Sequence, residues 1–192
     1  MKRNFILILA IFITLQGLAQ SKINYRGGLN FLSSSVNLAG DKFAPSLGFF
    51  VGGIYNLPVK NTKFHIRPEI SFSKERFNYI APGGKDLNIN YTFNYLKLPI
   101  MAGYQLNNKL ELEAGIQNSL LINSAYEQLG KKGKNYAAAS SFGLGLGIRY
   151  PLENKGLILH LRYLKGLTCV CYTGEGDPEK ISGIQLGIIY TK

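Results

Sequence analysis

The chain has 192 residues, enough for one domain, with 22 glycines, 12 tyrosines, 11 phenylalanines and no tryptophan. This composition favours β-structure over helices. The formal net charge is +11, but the basic residues are scattered and cluster only at positions 131, 132 and 134. This distribution argues against a nucleic-acid-binding protein.

The first 19 residues are organised like a secretory signal peptide. Lys2 and Arg3 precede an apolar run from Phe5 to Leu15, and the small-residue site Gly17-Leu18-Ala19 follows. The apolar run is shorter than the roughly 20 residues that a spanning helix needs. We therefore predict that residues 1–19 are cleaved and that residues 20–192 form the exported domain.

Eight segments of the exported domain alternate apolar side chains with small or polar ones. Such alternation places the two sets on opposite faces of a β-strand. A strand of about ten residues with one apolar and one small or polar face is the unit of a membrane β-barrel. In chain order the segments are 23–31, 46–55, 64–73, 91–104, 110–117, 141–150, 157–164 and 183–190.

Two of these segments depart from strict alternation. In the second, Phe50 and Ile54 fall among the presumed inward positions. In the fourth, aromatic residues occupy positions 91, 93 and 95, and the apolar set then moves to the even positions 96–104. This change of phase by one residue predicts a β-bulge near Tyr95.

The connections alternate in length. Segments 56–61, 105–109 and 151–156 read as short turns, whereas 33–44, 77–88, 123–138 and 168–182 read as longer loops. Short periplasmic turns and long extracellular loops are typical of outer-membrane barrels. In that orientation both termini are periplasmic, and four downward strands end in an aromatic girdle at the inner interface: Tyr55, Tyr104, Tyr150 and Tyr190.

The inward faces carry many charged residues of both signs. Unpaired charge in a narrow, partly dry lumen is costly, so opposite charges should pair there. We predict a lumen polar network that prevents ion conduction, because eight strands enclose only enough space for side chains. Its members are His65, Arg67, Glu69, Lys97, Glu111, Glu113, Arg149, His160 and Arg162.

The segments Tyr95-Leu96-Lys97-Leu98-Pro99-Ile100 and Arg162-Tyr163-Leu164-Lys165-Gly166-Leu167-Thr168 resemble the two recognisable segments of the PorT-like outer-membrane β-barrel domain family, often labelled porin family. The resemblance spans residues 23–190. It implies a small outer-membrane barrel and, from its named member, a link to protein secretion. The chain departs from the usual pattern at its end, where Tyr190-Thr191-Lys192 replaces a terminal aromatic residue.

The predicted long loops contain the remaining reactive or charged groups. Cys169 and Cys171, the only cysteines, could form a disulfide in an oxidising compartment, although the small ring is strained. Glu175, Asp177 and Glu179 lack the full pattern of a calcium loop and are better explained as a solvated acidic loop. Lys131, Lys132 and Lys134 would meet lipopolysaccharide phosphates or form a solvated tip.

Together these patterns predict an all-β protein, an eight-stranded antiparallel up-and-down transmembrane β-barrel in the outer membrane. We expect a monomer with a structural or loop-mediated interaction role, no catalytic site, and no metal or cofactor. Two alternatives stay open at this point. A lipid-modifying barrel enzyme would need a serine and a histidine near the outer rim of the lipid face, and a soluble lipocalin-like binder would keep its apolar residues inside.

Overall fold

A computed structural model gives the fold of the chain. It describes residues 23–35, 42–80, 89–107, 109–128, 130–134, 140–152, 156–168 and 180–191. The predicted signal peptide and the loop with Cys169 and Cys171 lie outside these described residues. Across the described ranges, no helix is long and apolar enough to cross a membrane.

Within the described ranges, ten antiparallel strands make up one sheet. Eight are long enough to form the wall of a barrel. The two short strands each pair with one wall strand, β3 with β4 and β7 with β6. The strands are β1 (Ile23–Ser35), β2 (Lys42–Tyr55), β3 (Leu57–Pro58), β4 (Phe64–Ile80), β5 (Ile89–Asn107), β6 (Leu110–Gln128), β7 (Lys131–Lys134), β8 (Ser140–Leu152), β9 (Leu157–Gly166) and β10 (Lys180–Tyr190).

The sheet closes on itself. Each long strand pairs with the next one along the chain, β1 pairs with β10, and β2 pairs with β4 across the β3 turn. A path across the paired residues that leaves β4 at Phe64 returns to β4 at Lys74, so the stagger is ten residues (74 minus 64). Eight strands with this stagger tilt by about 40° from the barrel axis. The predicted fold is confirmed.

The apolar side chains face outward, as the alternation predicts. Leu146 on β8 is 61% exposed and Val51 on β2 is 56% exposed, and outward positions on the other long strands are similar. The inward positions are mostly polar, charged, glycine or aromatic, and a few are aliphatic, such as Leu32 and Ile54. This arrangement is the reverse of a soluble lipocalin-like binder, which would expose its polar face to water.

Four neighbouring strands, β2, β4, β5 and β6, rise above the others at the long-loop end of the barrel, and Lys42 on β2 pairs with Ile80 at the top of β4. β4, β5 and β6 contain 17, 19 and 19 residues, whereas β9 and β10 contain 10 and 11. The predicted loops 77–88 and 123–138 were therefore too long, because strand structure occupies parts of both. Beyond the membrane both faces of a strand meet water, so the apolar alternation that identifies the strand disappears there.

The β-bulge predicted near Tyr95 is present, but β5 itself keeps one phase. Tyr91, Phe93 and Tyr95 lie on the inner face of β5 together with Lys97 and Met101, without interruption. The register does shift at Tyr95, but the extra residue belongs to β6. Asn94 pairs with Asn123 and Tyr95 pairs with Leu121, so Ile122 is the bulged residue between them.

Candidate functional site in the barrel lumen

Arg162 on β9 is the centre of the charged network inside the barrel. Its guanidinium donates to Glu69 on β4, with Nη1 at 3.0 Å from Oε2 and Nη2 at 2.7 Å from Oε1. Its Nε donates to Glu113 Oε1 on β6 at 2.7 Å. Arg162 is 1% exposed, so one buried cation joins carboxylates from two other strands across the lumen.

A second arginine, on β1, contacts the same carboxylate from two strands away. Arg26 on β1 donates to Glu69 Oε2 and, through Nη2, to Gln185 Oε1 at 3.2 Å. Gln185 in turn donates to Asn30 Oδ1 at 2.7 Å. The Arg26 guanidinium also lies 4.4 Å from the centroid of the Phe50 ring, an attractive cation–π geometry. Arg26 alternated inward in the sequence but was not included in the predicted network.

The short-turn end of the lumen carries a separate ion pair. Arg67 donates both Nη atoms to the two oxygens of Glu111, with Nη2 to Oε2 at 2.7 Å, and its Nε donates to Asn56 Oδ1 at 2.7 Å. Arg149 lies between the two groups, 3.8 Å from Glu111 Oε1 and 3.6 Å from Glu113 Oε2. Arg149 therefore links the two pairs electrostatically.

The two histidines occupy different surroundings. His160 is 1% exposed and its Nε2 lies 2.8 Å from Glu113 Oε1, inside the network. His65 is half-buried near the short-turn end. Neither ring faces the lipid. They do not fit the lipid-modifying enzyme, which needs a histidine on the lipid face near the outer rim.

The last of the nine predicted lumen residues to be placed, Lys97, pairs with Glu75, which was not among the nine. Its Nζ contacts Glu75 Oε1, and both side chains are almost fully buried. Glu75 lies between the predicted segment 64–73 and the predicted loop 77–88, so it was assigned to neither. The structure thus divides the nine predicted residues between the charged network near the short-turn end and this pair near the long-loop end.

Glycines opposite the long side chains make room for them. A β-carbon at Gly147 would lie 2.8 Å from Glu113 Oε1 and 2.9 Å from the Leu161 carbonyl oxygen. A β-carbon at Gly145 would lie 3.4 Å from Arg162 Cδ. Gly187 faces Phe50 in the same way, at 2.7 Å from Cζ. The glycine-rich inner face therefore fills the lumen rather than leaving it open.

An apolar layer closes the lumen at its long-loop end. Its buried members belong to four strands and include a ladder of aromatic rings, in which Phe93 stacks on Tyr91 at 6.3 Å and on Tyr95 at 6.2 Å between centroids. A cavity of about 30 Å³ lies beneath it, beside Lys97 and Glu75, with space for one or two waters. The layer consists of Leu32, Phe77, Phe93, Tyr95 and Leu164.

The four tyrosines of the predicted girdle lie near one level. The stagger and tilt place them within about 4 Å of one another along the barrel axis, and all four are on the outward face, exposed or half-exposed. The ring of Tyr104 also packs on Phe64, with 4.8 Å between the centroids.

The lysine cluster predicted at a loop tip belongs to regular structure. Lys131–Lys134 form β7, which pairs with the end of β6. Lys131 and Lys132 are exposed, and Lys132 Nζ lies 3.9 Å from Glu127 Oε2. The side chain of Lys134 lies outside what the structure describes, as do the cysteines and the acidic residues 175–179.

Comparisons with known proteins agree with this architecture. The sequence profile of the family described as outer membrane protein beta-barrel domain matches residues 18–171. A comparison with curated protein sequences found no match.

Solved outer-membrane barrels share the fold at low sequence identity. The crystal structure of Ail, the attachment invasion locus protein of Yersinia pestis, is 15% identical with a TM-score of 0.55, over 90% of this chain and 99% of that chain. Neisserial surface protein A is 14% identical with a TM-score of 0.57, over 88% of this chain and 97% of that chain.

Proposed function

The chain belongs to the outer membrane protein β-barrel domain family, and on this premise we propose that it is a non-conducting barrel that acts through its extracellular segments. Membership in this family confirms the predicted location in the outer membrane. The lack of conduction and the interaction role are the proposal.

The filled lumen supports the absence of conduction. The charged network occupies the half nearer the short-turn end, and the apolar layer occupies the other end. An ion would have to separate buried pairs such as Arg162 and Glu69 and then cross the layer around Phe93. Both steps are unfavourable, because a buried charge without its partner is costly and the apolar layer offers no ligands.

The long-loop end supports the interaction role. In the orientation typical of such barrels the longer connections face outward, so the wall of β4, β5 and β6 extends beyond the membrane with β7 at its edge. The exposed Lys131 and Lys132 then face the outer leaflet or an envelope partner. The resemblance to the PorT-like family favours secretion components among such partners, and lipopolysaccharide phosphates are the alternative ligands of these lysines.

Solute flux tests the first half of the proposal. Proteoliposomes that contain the refolded protein are moved into an isotonic solution of a small sugar, and swelling is followed by light scattering. The expected rate equals that of empty liposomes, while a general porin measured in parallel gives rapid swelling. Swelling that scales with the amount of refolded protein would contradict the proposal.

Chemical crosslinking tests the second half. The tagged protein is captured from crosslinked cells, alongside a variant in which a glycine–serine linker replaces residues 129–139. Envelope proteins that are captured by the native chain and lost with the variant would support interaction through this segment. An identical set of captured proteins would contradict it.

A further inference from the structure

The stagger of the barrel fixes the height of each outward residue along the barrel axis. Each residue along a strand raises the height by about 2.5 Å, and each step to the next strand by about 3 Å. On this scale the tyrosine girdle and Lys74 on β4 are separated by about 20 Å, and Arg76 lies about 5 Å higher. Lys74 and Arg76 therefore lie at the border of the apolar band, which is about 25 Å tall in such barrels.

Polar side chains on the neighbouring strands surround these two cations. Lys74 is paired in register with Asn94 on β5, which pairs with Asn123 on β6, and Arg76 is paired with Thr92. All five positions point outward and are exposed or half-exposed. We name this group the border patch: Lys74, Arg76, Thr92, Asn94 and Asn123.

The border patch combines positive charge with hydrogen-bond donors. Among the described residues no carboxylate forms an ion pair with Lys74 or Arg76, and the neighbouring Glu75 points into the lumen to Lys97. The amide of Asn94 donates to Asn123 Oδ1, which leaves the Asn123 amide hydrogens directed away from this bond. The donors are thus available to an anionic group.

Directly below the patch the surface is apolar and aromatic. The Phe49 and Phe72 rings lie with centroids 6.1 Å apart, and Phe49 is the register partner of Lys74 on β2. Leu96 continues this surface on β5, next to Phe72. Cations above an apolar surface match an amphiphile whose anionic head is attached to acyl chains.

We infer that the border patch binds a phosphorylated glycolipid of the outer leaflet, with phosphate on Lys74 and Arg76 and acyl chains along Phe49 and Phe72. The inference rests on the proposed outward orientation of the long-loop end. Lys and Arg are the residues that pair with phosphate, Arg through two parallel donors. The site differs in position from Lys131 and Lys132, which lie above the membrane on β7.

Binding of bisphosphorylated lipid A to the folded protein in mixed micelles tests the inference by native mass spectrometry. Phosphatidylethanolamine is the comparison lipid, because it has acyl chains but no net negative charge. The variant Lys74→Gln/Arg76→Gln should bind lipid A about tenfold more weakly than the native chain. The matched control Lys60→Gln/Lys63→Gln removes the same charge from exposed positions at the short-turn end and should keep native affinity.

Further outcomes separate the site from general charge. The variant Lys74→Arg/Arg76→Lys keeps both charges and should retain binding, and an unheated gel shows that each variant is folded. Native affinity in the Gln variant, equal loss in the control pair, or no preference of the native chain for lipid A would each overturn the inference. None of these outcomes alters solute flux, so a failure here is distinct from a failure of the proposed function.

Discussion

Replacement of Arg162 by methionine should destabilise the barrel more than any comparable change on the outer face. The substitution keeps a long side chain but leaves Glu69 and Glu113 without their shared cation. Loss of one partner of a buried ion pair costs about 3–5 kcal/mol. Glu69 keeps its contact with Arg26, and Glu113 keeps its contact with His160. Because both carboxylates retain a partner, we expect a loss of stability at the lower end of this range, about 3 kcal/mol.

The free energy of unfolding is measured by urea titration in lipid vesicles, with folded protein quantified on unheated gels. The matched control is Lys165→Met on the same strand, because that lysine is exposed on the outer face. We expect the control to change stability by less than about 0.5 kcal/mol.

A double-mutant cycle separates the ion pair from general effects. Arg162→Met combined with Glu69→Gln should cost at least about 1 kcal/mol less than the sum of the single changes, because the two groups are in direct contact. Additive costs, or a cost of Arg162→Met equal to that of Lys165→Met, would refute the hypothesis that the lumen network stabilises the barrel.

Three further predictions concern packing, the lipid face and orientation. Gly147→Ala should lower the free energy of unfolding by about 1–3 kcal/mol in the same titration, since its new methyl group meets Glu113 and a carbonyl oxygen. Gly27→Ala should be nearly neutral, because a β-carbon at that position makes only ordinary contacts. Leu146→Arg places a charge near the bilayer midplane and should cost about 2–4 kcal/mol. A cysteine at position 132 should be labelled on intact cells, and one at position 61 should not.

Each of these predictions has a result that contradicts it. Equal losses of unfolding free energy in Gly147→Ala and Gly27→Ala would show that the inner face has room for the extra methyl group. A neutral Leu146→Arg would mean that this side of the wall does not face lipid. Labelling at position 61 without permeabilisation, with the native cysteines removed, would reverse the orientation and place the border patch in the inner leaflet.

The membrane-spanning part of the fold could be predicted from the sequence because lipid imposes a simple rule. Every outward side chain within the apolar band must be apolar, so strands such as β8 show strict alternation. The girdle tyrosines follow from the same rule at the interface. Where the strands leave the lipid the rule no longer applies, and the upper parts of β4 and β6 with β7 were assigned to loops for that reason.

The aromatic layer could not be predicted by this rule. Tyr91, Phe93 and Tyr95 looked like lipid-facing residues, because alternation alone does not tell which face an apolar set occupies. At the long-loop end the inward face carries apolar side chains, whereas the charged network lies nearer the short-turn end. Partner choice was also beyond the sequence. Lys97 is in register with Ser71 on the adjacent strand β4, and its long side chain reaches diagonally along β4 to Glu75.

Single-channel recording in planar bilayers tests the central claim, a closed lumen, most directly. The refolded native protein should give no steady current steps. A variant that removes both closures, Arg162→Ala with Phe93→Ala and Tyr95→Ala, should give small steps if the network and the aromatic layer are the barriers. Steady ohmic steps from the native protein, after removal of contaminating porins, would contradict the account.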